Sequence, residues 1–365
     1  MDTATDPHET STAEHWRGDY SKKDVLIRTA RIQPGERVLD LGWEGRSIVE
    51  GGSDWASLFM TSDIREYRRC ISECKNDNEG QAILCTSIPS GQEPFDAVLY
   101  RPTIWSAKGR VFELIDQAIG KIPIGGRLYL AGRRKNGVES YSRRMGEVFG
   151  NCSIVEKEGG LRVYRAQKKE KVREIPSSRQ ATRFEYRVTD TQLLTFETWP
   201  GVFSRDGLDS GSECLLEHVS IAPSERVLDL GCGCGILGIV AAQKAHKGKT
   251  VLLDTDLLAV ECAKENVKRN RLDNADVELS DGLEVLGNEE FDLIVSNPPT
   301  HEGSSVARQF VEGAAQHLAT GGRFTVVVKQ SGEYLRQMSR LFGEVTKCAD
   351  ERGYQILTAS SPNLS

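Results

Sequence analysis

The sequence predicts an α/β fold built from two tandem domains, each a doubly wound, mainly parallel sheet. One observation is an internal duplication: ERVLDLG stands at both 36–42 and 225–231, and FDAVLYRPTIW at 95–105 corresponds to FDLIVSNPPTH at 291–301. The other is the alternation of apolar strand signals with helix signals in each half, which is typical of parallel sheets covered by helices on both faces.

The repeat also predicts the domain boundaries. Segment 167–188 separates the two copies; it is charged, contains Pro-Ser-Ser and lacks a helical apolar stripe, so a linker is expected there. We therefore expect the following order: a disordered tail over 1–18, a first domain over 19–168, a basic linker over 169–185 and a second domain over 186–365.

The elements of the second half follow from local patterns. Helices are predicted over 236–245 and over 256–270, where Leu258, Cys262 and Val267 form the inward face. Short apolar stretches predict strands at 226–231, 250–254, 291–297, 321–329 and 353–360. Because ligands bind at the carboxyl ends of parallel strands, the residues that follow these strands are the candidate site.

Composition limits the class of protein. The 365 residues are 38% hydrophobic and 27% charged, a balance typical of soluble globular chains. The polar, acidic N-terminus lacks the features of a signal peptide, and no apolar run approaches the roughly 18 residues needed to span a membrane. Nine irregularly spaced cysteines suit reduced thiols. We expect a cytoplasmic protein without a membrane segment, and a monomer because no pattern requires oligomerisation.

A glycine-rich loop follows the strand at 226–231 and opens a helix. Gly231, Gly233 and Gly235 let the backbone turn sharply and approach a ligand closely. Asp229 precedes them, and a carboxylate there suits a ligand with a cationic amine better than a phosphate. Cys232 and Cys234 have no neighbouring cysteine pair or histidine cluster, so no metal is expected.

Two further acids extend this pattern. Asp254 ends the next strand, where a carboxylate usually binds a ribose diol; Asp256 is its rival, but the spacing to Ala259 favours Asp254. Asp281 ends the third strand, where it is expected to meet an adenine amino group. The pattern is that of enzymes that bind S-adenosylmethionine (SAM). The alternatives are a nucleotide-binding or a degenerate domain.

Asn297 and Pro298 are the predicted catalytic residues. Neither Pro298 nor Pro299 has a backbone N–H, so the two prolines end the strand and stiffen a loop over the cofactor, which Asn297 also borders. The Asn297 side-chain oxygen and the Pro298 carbonyl would accept the N–H groups of a planar amino group, aiming its nitrogen at the SAM methyl. Catalysis would rest on positioning. Taken alone, the motif indicates a simple turn; its position 66 residues after the glycine loop favours the catalytic interpretation.

These motifs resemble those of class I SAM-dependent methyltransferases, and more narrowly the methyltransferase small domain of RsmC-type ribosomal RNA guanine-N2 methyltransferases. The resemblance rests on Asn297-Pro-Pro-Thr-His301-Glu-Gly303, on the entry segment at 201–212, and on a degenerate first domain before an active one. It implies methylation of guanine N2 in ribosomal RNA or a ribosomal subunit. The substrate contacts that it implies are Phe203, Pro299, Thr300 and His301.

One position departs from the family pattern. Thr300 stands where the family usually has an aromatic side chain that stacks on the flipped base, so Phe203 or His301 would have to replace it. Adenine N6 and protein glutamine N5 remain alternative targets, because the Asn-Pro-Pro geometry suits both. A non-catalytic RNA-binding assembly factor is the alternative from another class.

The first half carries substitutions that predict the loss of SAM binding and catalysis. Trp43 and Glu44 replace loop residues next to the first glycine, and Arg101, which has only donors, replaces the asparagine. Residues 101–187 nevertheless hold 20 basic and 9 acidic side chains, including Arg133, Arg134 and Lys135. We therefore expect the first half and linker to bind RNA phosphates, the alternative being a merely solvated face.

Overall fold

The computed structural model describes residues 25–43, 56–73, 81–89, 93–102, 106–171, 181–204, 207–299 and 303–362. These residues form two seven-stranded sheets and a two-stranded hairpin. None of the helices in these ranges has the length and apolar character needed to cross a bilayer. The predicted N-terminal tail lies outside the described residues, as does segment 44–55, which follows the position of Trp43 in the degenerate loop.

The first sheet has the strand order β3-β2-β1-β4-β5-β7-β6. Its strands are β1 Arg37–Trp43, β2 Ala56–Thr61, β3 Gln81–Leu84, β4 Ala97–Arg101, β5 Arg127–Arg133, β6 Ser153–Glu158 and β7 Leu161–Gln167. Its helices are α1 Val25–Ala30, α2 Ile64–Glu73, α3 Lys108–Lys121 and α4 Val138–Phe149. Strands β1 to β5 pair in parallel, whereas β7 runs antiparallel to both β5 and β6.

The hairpin joins β8 (Thr182–Thr189) to β9 (Gln192–Thr198). Residues 182–185, which the sequence analysis assigns to the linker, are therefore strand. Along β8, half-buried and exposed side chains alternate, with Phe184 half-buried between exposed Arg183 and Glu185. Leu194 and Phe196 of β9 are buried in the core of the second half, so the hairpin packs against that domain.

The second sheet repeats the topology as β12-β11-β10-β13-β14-β16-β15. Its strands are β10 Val227–Leu230, β11 Thr250–Asp254, β12 Ala275–Leu279, β13 Phe291–Ser296, β14 Leu318–Val328, β15 Phe342–Glu351 and β16 Tyr354–Pro362. Its helices are α5 Ser210–His218, α6 Ile236–Lys244, α7 Leu257–Arg269, α8 Gly303–His317 and α9 Gly332–Leu341. The two doubly wound α/β sheets confirm the predicted fold class.

The central strands of the second sheet place the candidate site. All four residues of β10 are buried, Asp229 together with its three apolar neighbours, and β10 pairs in parallel with β11 on one side and β13 on the other. The order of the strands reverses at β10, which creates a crevice at their carboxyl ends. The glycine-rich loop, Asp254 and Asn297 all follow strands that end at this crevice.

Candidate active site

The glycine-rich loop has the backbone conformation that its sequence predicts. Gly231, Gly233 and Gly235 have φ angles of 77°, 56° and 86°, a left-handed region that other residues adopt with strain. Gly235 caps helix α6 and packs on buried side chains, while Gly231 and Gly233 face the crevice. The loop therefore presents bare backbone toward a ligand.

Asp229 lies inside the protein rather than on the wall of the crevice. Its side chain is fully buried, and its Oδ2 accepts a hydrogen bond of 2.7 Å from the Gly238 backbone N–H. Its Oδ1 has no hydrogen-bond partner among the described residues. Burial raises the pKa of this carboxyl to about 7. Asp229 thus fixes the start of helix α6, and its position off the cavity wall does not support the predicted contact with a ligand amine.

Asp254 stands on the wall of the crevice. Its Oδ2 accepts from the Gly233 N–H at 2.9 Å, and its Oδ1 accepts from the Asp256 N–H at 3.0 Å. Burial raises its pKa to about 6, and these two hydrogen bonds oppose the rise. Asp256 also lines the cavity, and it caps helix α7 by accepting from the Leu258 N–H. Of the two acids, Asp254 is the one that is hydrogen-bonded to the glycine loop, and it stays the predicted acceptor for ribose hydroxyls.

The crevice encloses a cavity of ≈ 310 Å³, within the size range of small-ligand sites. Of the residues predicted for the site, those on its wall are Phe203, Gly231, Gly233, Asp254, Asn297 and Pro299. Asp281 lies off the wall, with its Oδ2 4.0 Å from Arg68 Nη1, whereas its neighbours Ser280 and Gly282 line the cavity. Pro298 is buried and is not among the residues of the wall. Thr300 and His301 lie outside the described residues.

The Asn297 carboxamide is held in one orientation. Its Nδ2 donates to Asp209 Oδ2 at 2.6 Å and to Ser212 Oγ at 2.9 Å. A carboxylate only accepts hydrogen bonds, so the nitrogen must point toward Asp209, and the side-chain oxygen points the other way. Asp209 also caps helix α5 through the Ser212 N–H. The entry segment thus fixes the predicted catalytic side chain.

Further side chains stand around the cavity, and among them only Phe203 is predicted from the sequence. Phe310 of helix α8 lies against Gly231, and Gln309 lies against Gly282. Phe203, with 57% of its surface exposed, lies over Gly233. Asp63 and Arg65 of the first half complete the wall. The sequence of α8 does not predict that Gln309 and Phe310 line a cavity, since both residues would equally suit an ordinary amphipathic helix.

The basic segment of the first half is partly neutralised within the protein. Arg144 forms a two-pronged pair with Asp116, and Arg162 pairs with Glu139 at 2.8 Å. Arg133, Arg134 and Lys135 are exposed, although Arg134 also lies 3.1 Å from Glu139 and Arg133 donates to the Gly159 carbonyl. Three exposed cations therefore stand together at the end of β5.

Comparison with known proteins gives consistent results. The family model for the methyltransferase small domain matches residues 193–358. The ribosomal RNA small subunit methyltransferase C of Stutzerimonas stutzeri is 30% identical, over 93% of this chain and 98% of that protein. A solved structure, Thermus thermophilus 16S rRNA N2 G1207 methyltransferase (RsmC) in complex with AdoMet and guanosine, is 27% identical in sequence. The match covers 95% of this chain and 93% of that chain, with a TM-score of 0.79.

The fold, the glycine loop and these matches define a class: the chain is a SAM-dependent methyltransferase. Its near full-length likeness to the Stutzerimonas protein narrows the assignment further. The chain belongs to the ribosomal RNA small subunit methyltransferase C family. This confirms the family resemblance and the cofactor predicted from the sequence.

Proposed function

We propose that this protein methylates the exocyclic N2 of a guanine in small-subunit ribosomal RNA, with SAM as the methyl donor. The guanine is the one that corresponds to the G1207 named for the Thermus thermophilus relative. The observation that carries this proposal is the fixed Asn297 carboxamide, which holds an acceptor oxygen away from Asp209 at the edge of the cofactor cavity.

The residues present fit SAM. Asp254 is placed to accept the ribose hydroxyls, Gly231 and Gly233 allow close approach, and Asp229, buried off the wall, holds the start of helix α6. Bound SAM supplies a methyl group on a positively charged sulfur. Asn297 Oδ1 and the Pro298 carbonyl accept the two N–H groups of the guanine amino group. The nitrogen lone pair is thereby turned toward the methyl group, and the rate gain comes from orientation.

Phe203 takes the role of stacking partner in this proposal. It is exposed at the cavity and lies over Gly233, where its ring is available to a base flipped out of the RNA. Stacking of one base on an aromatic ring is worth about 1–3 kcal/mol. Pro299, Thr300 and His301 complete the predicted contacts with the substrate.

The first half binds the RNA in this proposal. The exposed cations Arg133, Arg134 and Lys135 supply phosphate contacts, while the second half, with 17 basic and 26 acidic residues over 186–365, modifies the base. Each chain carries both parts, so we infer that it works as a monomer in the cytoplasm, where its ribosomal RNA is found. Light scattering at working concentration tests the monomer.

Nucleoside mass spectrometry of ribosomal RNA tests the reaction. Cells that lack the protein should lose one N2-methylguanosine. Wild type should restore it, whereas Asn297→Ala should not. Gln192→Ala, which removes an exposed carboxamide from β9, is the control and should restore it fully. An unchanged nucleoside profile in the deletion strain would refute the ribosomal substrate, and a loss of N6-methyladenosine instead would assign the site to adenine.

A further inference from the structure

Two residues of the first half stand on the wall of the SAM cavity. Asp63 and Arg65 lie at the start of helix α2, and the other residues of the wall belong to the second half. They share that wall with Asp254, Ser280 and Gly282. Under the proposed function, this part of the cavity takes the adenosine of SAM, because Asp254 is there the acceptor for the ribose.

Backbone hydrogen bonds hold this part of the first half in place. The Ile64 N–H donates to the Thr255 carbonyl at 2.9 Å, and the Leu257 N–H donates to the Ser62 carbonyl at 2.8 Å. Asp63 and Asp256 thereby form an antiparallel bridge directly after the ribose-binding Asp254. The position of helix α2 is thus fixed relative to the cofactor cavity.

The Arg65 side chain is also fixed. Its Nη2 lies 2.7 Å from Asp63 Oδ2, and its Nε lies 3.2 Å from both carboxylate oxygens. The Arg65 N–H donates to Asp63 Oδ1 at 2.7 Å, so Asp63 orients the guanidinium and the first turn of α2 together. One turn further, Arg68 pairs with Glu284 of the second half at 2.5 Å. The side chain of Arg65 remains 35% exposed.

We propose that Arg65 is a cofactor-binding residue, through which the half of the chain without a glycine loop completes the adenosine end of the SAM site. A guanidinium offers N–H donors to hydroxyls or ring nitrogens and a flat face to an adenine. Preorganisation by Asp63 lowers the entropy lost when that contact forms. The inference rests on the proposed function in that SAM is the ligand of this cavity.

The test is calorimetric titration of the full chain with SAM, S-adenosylhomocysteine and methylthioadenosine, which lacks the amino-acid end. Arg65→Ala should weaken all three ligands by the same factor, roughly tenfold, as expected for the loss of a hydrogen bond from a charged donor. Arg28→Ala is the matched control, since Arg28 forms an exposed ion pair with Glu158 and does not line the cavity. It should leave the three affinities unchanged.

Each other outcome has a distinct meaning. If wild type binds SAM and Arg65→Ala binds it equally well, the inference is overturned and the proposed function stands. A wild type that binds no SAM overturns both. Weaker SAM binding with unchanged methylthioadenosine binding places Arg65 at the amino-acid end and overturns the adenosine assignment. Thermal unfolding of each variant shows whether it is folded. Arg65→Gln is titrated alongside, and it supports the inference only if it also weakens the binding of all three ligands.

Discussion

At the scale of single residues, the role of Asn297 depends on a partner distant in the sequence. Asp209 begins helix α5, 88 residues before Asn297, and its Oδ2 accepts from both the Ser212 N–H and the Asn297 amide. The Asn-Pro-Pro motif predicted that a carboxamide oxygen is needed there. It did not predict what would orient that oxygen, because the orienting carboxylate serves locally as an ordinary helix cap.

The raised pKa of Asp254 predicts a pH dependence of SAM affinity. Burial raises that pKa to about 6, so the carboxyl is ionised at pH 7.5 and mostly protonated at pH 5. Only the ionised form keeps all its acceptor sites for ribose hydroxyls. We expect SAM to bind roughly tenfold more weakly at pH 5 than at pH 7.5, since only about a tenth of the molecules remain competent.

Calorimetric titration of SAM between pH 5 and pH 8 measures this effect. The Asp254→Asn variant is the control: it should bind SAM more weakly than wild type at pH 7.5 and lose the change centred near pH 6. Burial raises the pKa of Asp229 to about 7, so this group titrates in the same range, and the difference between wild type and Asp254→Asn isolates the share of Asp254. A wild-type affinity that is constant from pH 7.5 to pH 5 would contradict the role given to Asp254.

At the scale of elements, the sequence predicted the parallel strands better than the hairpin. Strands β10, β11 and β13 are short and mostly apolar, and the residues predicted for the site lie at or directly after their carboxyl ends. The β8–β9 hairpin escaped prediction because its arginines and glutamates hide a regular alternation with half-buried residues. The apolar face of β8 gains its partners only when the second domain folds beneath it.

Helix α6 yields a prediction about stability. An added Cβ at Gly238 would lie 2.4 Å from Leu252 Cγ and 3.0 Å from Asp229 Oδ2, both fully buried. Gly238→Ala should therefore destabilise the protein by about 1–3 kcal/mol despite the better helix propensity of alanine. Chemical denaturation measures the free energy of unfolding.

Two variants separate crowding from a general effect of alanine in a helix. Gly332→Ala, at the start of α9, adds a Cβ with no atom within 4 Å and should be neutral or stabilising. Leu252→Ala should destabilise Gly238→Ala less than it destabilises the wild type, because it removes the Cγ and Cδ2 atoms that the new Cβ meets. If Gly238→Ala is as stable as wild type, the close packing of α6 on β11 does not limit this position.

At the scale of the whole molecule, the duplication was readable from the sequence but the contact between its copies was not. Repeated strand motifs predict two similar sheets, and the two strand orders correspond one to one. The halves meet through backbone hydrogen bonds at Ser62 to Ile64 and Thr255 to Leu257, which almost any side chains would allow. The charge difference between the halves was visible because charge is a property of composition.

That charge difference predicts how RNA binding responds to salt. If Arg133, Arg134 and Lys135 contact phosphates, replacing all three with glutamine should weaken binding to a small-subunit ribosomal RNA transcript. The slope of log affinity against log salt should fall by roughly two to three, since each phosphate contact contributes about 0.9. Filter binding from 50 to 300 mM salt measures the affinity and the slope.

The matched control for this prediction replaces Lys264, Arg336 and Lys347, three exposed cations of the acidic half, and should leave the slope unchanged. Equal slopes for wild type and the Arg133, Arg134 and Lys135 variant would show that this face is merely solvated, and RNA affinity would then have to come from the linker or the second half.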